Sequence, residues 1–219
     1  MSSLIIKDIL LIKRTILLGF IYMIFLVFAF QSLGSDAFIS AVVALTYILL
    51  MTTLAYEEMN HSDIILNSLP IKRSNIVFSK YILTFIYSII SLLIYFIVVF
   101  VISTLNINVN VHYMNIMEIV WTLFYISVFS GIYLPIFFKF GYVKSKIFNV
   151  IVYVFIFSGA SVISNIFLED SKYFSVNSIL KFFQNHTEFQ ISICLIGITL
   201  AIISVSYLIS LYFYKNREF

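Results

Sequence analysis

The sequence predicts an all-α, polytopic membrane protein. It has six transmembrane helices, an N-terminal amphipathic helix in the membrane interface, and a short cytoplasmic helix between spans two and three. Three observations predict this. The chain is 62% hydrophobic and only 11% charged, whereas soluble domains carry about 25% charged residues, so lipid is the solvent in which this composition is consistent. Its charges stand apart, leaving apolar intervals long enough to cross a bilayer, which takes roughly 20 residues per helix. Runs such as Ile16 to Phe30 are apolar all round, not alternating as the strands of a membrane barrel do.

The elements follow in order. Residues 1–14 form the interfacial helix, with Ile5, Ile9 and Ile12 on one face and Ser3, Lys7 and Arg14 on another; its basic residues belong near anionic headgroups. No small-x-small cleavage pattern closes the apolar run that ends Phe30-Gln31-Ser32-Leu33, so the first span, about 15–33, stays uncleaved. The brief Gly34–Asp36 link makes a tight hairpin with the second span, 37–56. In the loop from Tyr56 to Ser74, Ser62 or Asp63 can cap a short helix bearing Ile64, Ile65 and Leu66. Pro70 disfavours helix at Leu69 and ends it. A new helix starts between Lys72 and Ser74, with Ser74 as a cap, and runs through Lys80 into the third span, 81–105.

A polar connector, Asn106–Asn115, leads to the fourth span, 118–138, which carries Trp121 near one end and Pro135, a potential kink, near the other. The fifth span covers 147–168. The connector from Glu169 to Glu188 includes a short amphipathic turn, Ser178–Gln184, able to rest on the membrane through Ile179, Leu180, Phe182 and Phe183. The sixth span is 189–214, and the whole chain, 1–219, reads as one transmembrane domain.

Lysine and arginine orient the spans. One side collects Lys7, Lys13, Arg14, Lys72, Arg73, Lys80, Lys139, Lys144, Lys146, Lys215 and Arg217; the other holds Lys172 and Lys181. The positive-inside rule places both termini in the cytoplasm. Lys7, Lys13, Arg14, Lys72, Arg73 and Lys80 are the expected interface anchors.

Much chemistry is excluded. There is no phosphate-cradling G-x-x-x-x-G-K-[ST], and the six glycines never cluster. His61, His112 and His186 lie in separate connectors without ligand spacing. The basic residues sit at span edges and form no nucleic-acid patch. No enzyme, cofactor or metal is expected. No charge falls deep within a predicted span, which argues against an ion-coupled carrier. A pathway would draw on Tyr47, Tyr87, Tyr95, Tyr125, Gln31 and Asn165, although packing is the more common use of such residues.

Two stretches carry a family likeness. Glu57-Glu58, then Leu69-Pro70-Ile71-Lys72-Arg73-Ser74-Asn75-Ile76-Val77 and Ser79-Lys80-Tyr81, with Leu134-Pro135-Ile136-Phe137-Phe138-Lys139-Phe140-Gly141 further on, resemble the small ABC-2 type transporter permeases of Gram-positive bacteria. The resemblance implies a permease subunit of an exporter in the bacterial cell membrane. Separate ABC-type ATPase subunits would power it, and a second permease chain, identical or related, would complete the conduit. It further implies that Glu57, Glu58, Ser62, Asp63, Ile64, Ile65, Leu66, Leu69 and Pro70 form the coupling segment that meets the ATPase. The expected cargo is amphipathic peptide or another hydrophobic molecule. The alternative is a membrane anchor, immunity or sensor protein that transports nothing.

Overall fold

The computed structural model describes residues 2–29, 35–60, 62, 68, 71–105, 114–169 and 187–217. Every regular element among them is a helix: α1 (Ser2–Leu11), α2 (Lys13–Ala29), α3 (Ser35–Met59), α4 (Arg73–Thr104), α5 (Ile116–Glu169) and α6 (Glu188–Lys215). Four segments are long and apolar enough to cross a membrane: Asp36–Met59, Arg73–Thr104, Ile116–Tyr142 and Glu188–Lys215. The α1–α2 pair, bent by 57° at a short break, makes a fifth when taken together. The protein is therefore a multi-pass, all-helical membrane protein. The predicted fifth span, 147–168, coincides with helical backbone in the second half of α5; within 147–168, Phe148 is the one residue whose side chain is described.

The bend between α1 and α2 separates an N-terminal helix from the first apolar run, as the charge pattern predicts. Its packed face differs from the expected one. Leu4, Asp8 and Ile12 are buried, at a spacing of four residues, while Ile5 and Ile9 are only partly covered. An acid thus sits in the middle of the packed face, and α1 lies against α3 and α4.

At the centre, α3 buries Phe38, Ala41, Val42, Leu45, Leu49, Leu50 and Leu54, a three-and-four spacing that keeps one stripe inward. Its neighbour α4 answers with Val77, Tyr81, Thr84, Ser88, Ser91, Tyr95, Val98 and Ile102. Small hydroxyl residues let two helices approach where no hydrophobic force drives them together. Thr46 Oγ1 donates to Ser91 Oγ at 3.1 Å, and the Thr53 and Tyr87 hydroxyls meet at 2.7 Å. Tyr95 packs edge-on to Phe38. Tyr87 and Tyr95 are therefore packing residues, whereas Tyr125 is exposed. Gln31 and the Asn165 side chain lie outside the description.

α6 lies along α5 and α4. Tyr81 ties them: its hydroxyl meets Ser206 Oγ at 2.5 Å and Ser210 Oγ at 2.8 Å, and Ser206 donates to the Gly131 carbonyl at 2.7 Å. Ser206 has one proton and spends it on Gly131, so Tyr81 donates to Ser206 and accepts from Ser210. A Cβ at Gly131 would stand 2.9 Å from Ile202 Cγ2, so this crossing depends on the missing side chain.

Two helix features differ from expectation, and a third has no counterpart in the sequence reading. α4 starts at Arg73 after Lys72, with no side-chain cap, so Ser74 lies within the first turn and does not cap it. Helical dihedrals run on through Pro135 and break at Gly141, which places the kink at the glycine and not the proline. α6 begins with a reciprocal capping box between Thr187 and Gln190.

Candidate functional site at the end that holds both chain termini

Both termini, the last turn of α3, the first turns of α4 and the Gly141 break meet at one end of the bundle. Glu57 and Glu58 are its hub. Consecutive helical residues point about 100° apart, so the two carboxylates reach different neighbours.

Glu57 turns toward α1 and α4. Its Oε1 lies 2.8 Å from Lys7 Nζ and 2.6 Å from Lys80 Nζ. Lys80 Nζ also donates to Asp8 Oδ2 at 2.7 Å. Lys7 Nζ approaches Asp8 Oδ1 at 3.2 Å without hydrogen-bond geometry. Two cations thus face two anions. Asp8 is 1% exposed, Glu57 2% and Lys80 3%, so each charge depends on the others for solvation. Burial pulls the Lys7 ammonium down, but Glu57 and Asp8 together hold it above the ordinary lysine range. Burial pushes the Asp8 carboxyl up, with Lys80 opposing. A lysine held above its ordinary value keeps its charge throughout the neutral range; its contribution to stability fades only as pH rises through that raised value.

Glu58 turns toward α5. Its Oε2 accepts the Tyr142 N–H at 2.6 Å. Tyr142 is the first residue after Gly141, whose backbone (φ 77°, ψ 177°) is a conformation essentially confined to glycine. Glu58 therefore caps the second half of α5, where an anion is favoured by the helix dipole. On the α6 side, Arg73 Nη1 donates to the Lys215 carbonyl at 2.7 Å and more distantly to Tyr214, satisfying carbonyls that a helix end leaves open. Lys139 Nζ lies 5.0 Å from the ring centres of both Phe140 and Phe213.

Of the predicted anchors, Lys13, Arg14 and Lys72 are exposed, and Arg73 is engaged with α6. Lys80 was expected at the headgroups and is instead buried in the ion cluster, because α1 delivers Asp8 to it. Lys7 is likewise drawn in, at 35% side-chain exposure. Of the predicted coupling residues, Glu57 and Glu58 root the segment and Ser62 is partly buried in helix. Asp63, Ile64, Ile65, Leu66, Leu69 and Pro70 lie outside the described residues. Sequence reasoning missed Asp8, the partner of Lys80; the available signal was an acid spaced four residues from Leu4 and Ile12.

A family model described as "ABC-2 family transporter protein" matches residues 3–215. No curated protein and no solved structure matches the chain.

Proposed function

Since the chain belongs to the ABC-2 family of transporter proteins, we propose that it is an exporter permease whose 57–74 segment receives the work of a separate ATPase and whose cargo is amphipathic peptide. The basic end lies in the cytoplasm of a bacterial cell, six spans cross the cell membrane, and a second permease chain completes the conduit. The carrying observation is the hub at Glu57 and Glu58. The segment leaves α3 directly after two carboxylates joined to α1, α4 and α5. It re-enters at Arg73 and Lys80, joined to α6 and α1. A push on the segment therefore reaches α1, α4, α5 and α6 through short polar contacts, which is what coupling requires.

As part of this proposal we extend the family likeness to a permease subunit of the staphylococcal phenol-soluble modulin exporter, and the support for the cargo is the placement of charge. The buried charges gather at one end, and the mid-sections of the apolar helices carry none, so nothing there favours an ion or sugar.

Replacing Ile65 and Leu66 with Asp tests the coupling. An unpaired charge in an apolar docking face costs several kcal/mol, enough to disrupt a modest interface. The expected result is normal membrane levels, loss of ATPase co-purification or of cargo-stimulated hydrolysis, and loss of peptide export. The same change at Val143 and Ile147 should do less. Normal export with the ATPase retained by the Ile65/Leu66 variant would refute the assignment. A chain that never holds an ATPase would be a membrane anchor or immunity protein.

A further inference from the structure

We propose that Glu58 is a releasable clasp on a hinge at Gly141, through which a tilt of the last turn of α3 resets the angle between the two halves of α5. The inference rests on the permease reading for the source of that tilt; the clasp itself rests on geometry.

Gly141 interrupts 54 residues of otherwise continuous helix. A side chain there would be strained by the positive φ and would press the ends of two neighbouring side chains aside by a few tenths of an ångström. Its Cβ would stand 3.1 Å from Arg217 Nη2 and 3.2 Å from Glu58 Oε2. The break is therefore a swivel, with helix on both sides and the amide of Tyr142 left without an acceptor inside its own helix. That amide is held by Glu58 at 2.6 Å, a charge-assisted bond at the positive end of a helix. Holding the amide fixes the direction in which the second half of α5 departs.

The two neighbouring carboxylates differ in how readily they let go. Glu57 is buried and doubly paired, so withdrawing it would strand Lys80. Glu58 and Tyr142 are only partly buried, so water can replace either partner when they separate. Glu57 is thus the pivot and Glu58 the moving arm. Glu58 precedes the end of α3 by one residue, so a tilt of that last turn shifts the arm directly. The Glu-Glu pair and the Phe-Lys-Phe-Gly stretch are far apart in sequence and become two halves of one joint.

The test measures the bend. Ile132 and Phe148 are exposed and flank Gly141. Spin labels at Ile132→Cys and Phe148→Cys, on a Cys194→Ser background, report the distance between the two halves. Measurements use the permease with its ATPase, nucleotide-free and trapped with a non-hydrolysable ATP analogue. The expected parent shows a narrow distribution that shifts on trapping. Glu58→Gln keeps an acceptor oxygen and should retain the shift. Glu58→Leu should broaden the nucleotide-free distribution and lose the shift while still holding the ATPase. Identical distances in Glu58→Leu and the parent would overturn the proposal, as would a parent distance unmoved by nucleotide with the ATPase bound. If no ATPase co-purifies, the coupling reading fails separately. The nucleotide-free comparison then decides alone: broadening supports the clasp and its absence overturns it.

Discussion

Lys80 carries an ammonium group into a space with almost no water, and what makes this tolerable is the matched count of charges around it. Removing one partner of a buried pair leaves a charge uncompensated and costs about 3–5 kcal/mol, whereas exchanging both for apolar residues of similar size is often neutral. Lys80→Met should therefore destabilise the protein strongly, since Asp8 and Glu57 would share Lys7 alone. Asp8→Leu combined with Lys80→Met leaves the Lys7–Glu57 contact of 2.8 Å intact and should recover most of the loss. Thermal retention of a monodisperse peak in detergent would measure this; a double variant no better than the single would show that the pair is not the source of the effect. The cluster was only half legible in the sequence. Its lysines read as headgroup anchors because positive-inside counting treats each cation as solvated. What reversed that for Lys80 is a contact 72 residues away, which no local pattern encodes.

Within an apolar core, hydroxyls and missing side chains set where the helices approach most closely. At the α5–α6 crossing, Gly131 brings its carbonyl to Ser206 while Ile202 covers the space a Cβ would need. Gly131→Ala should cost about 1–3 kcal/mol as Ile202 is forced aside, and Gly131→Leu should separate the helices. Lower thermal stability for Ala, with much poorer membrane yield for Leu, is the expected series; a neutral Leu variant would exclude close packing here. At this scale the sequence was informative where a rule is local and misleading where it is not. The Thr187–Gln190 capping box follows a short spacing that can be read directly. Pro135 reads as a potential kink because proline removes a donor, yet a helix in lipid can absorb one proline when its neighbours compensate. The glycine six residues on broke the helix because Glu58 was there to cap what followed.

For the whole molecule, single cysteines on a Cys194→Ser background test the orientation. Asn108 and Asn177 should react with an impermeant reagent added to intact cells, and Asn67 should not; the reverse pattern would invert the protein. Composition and charge spacing made the helical class and its long apolar elements legible, because both depend on the bilayer and hardly on partners. The assembly of the termini against the α3–α4 junction was not, because it depends on which charge finds which. That assembly bears on biogenesis. Asp8 leaves the ribosome 72 residues before Lys80, which at ordinary synthesis rates is roughly 4–14 s. Through that interval its carboxylate needs water or headgroups, so the N-terminal helix has to wait outside the bundle. The basic end is consequently the last part of this region to dry out, and a nascent chain stalled before α4 would hold Asp8 and Glu57 with Lys7 as the one cation of the cluster yet made.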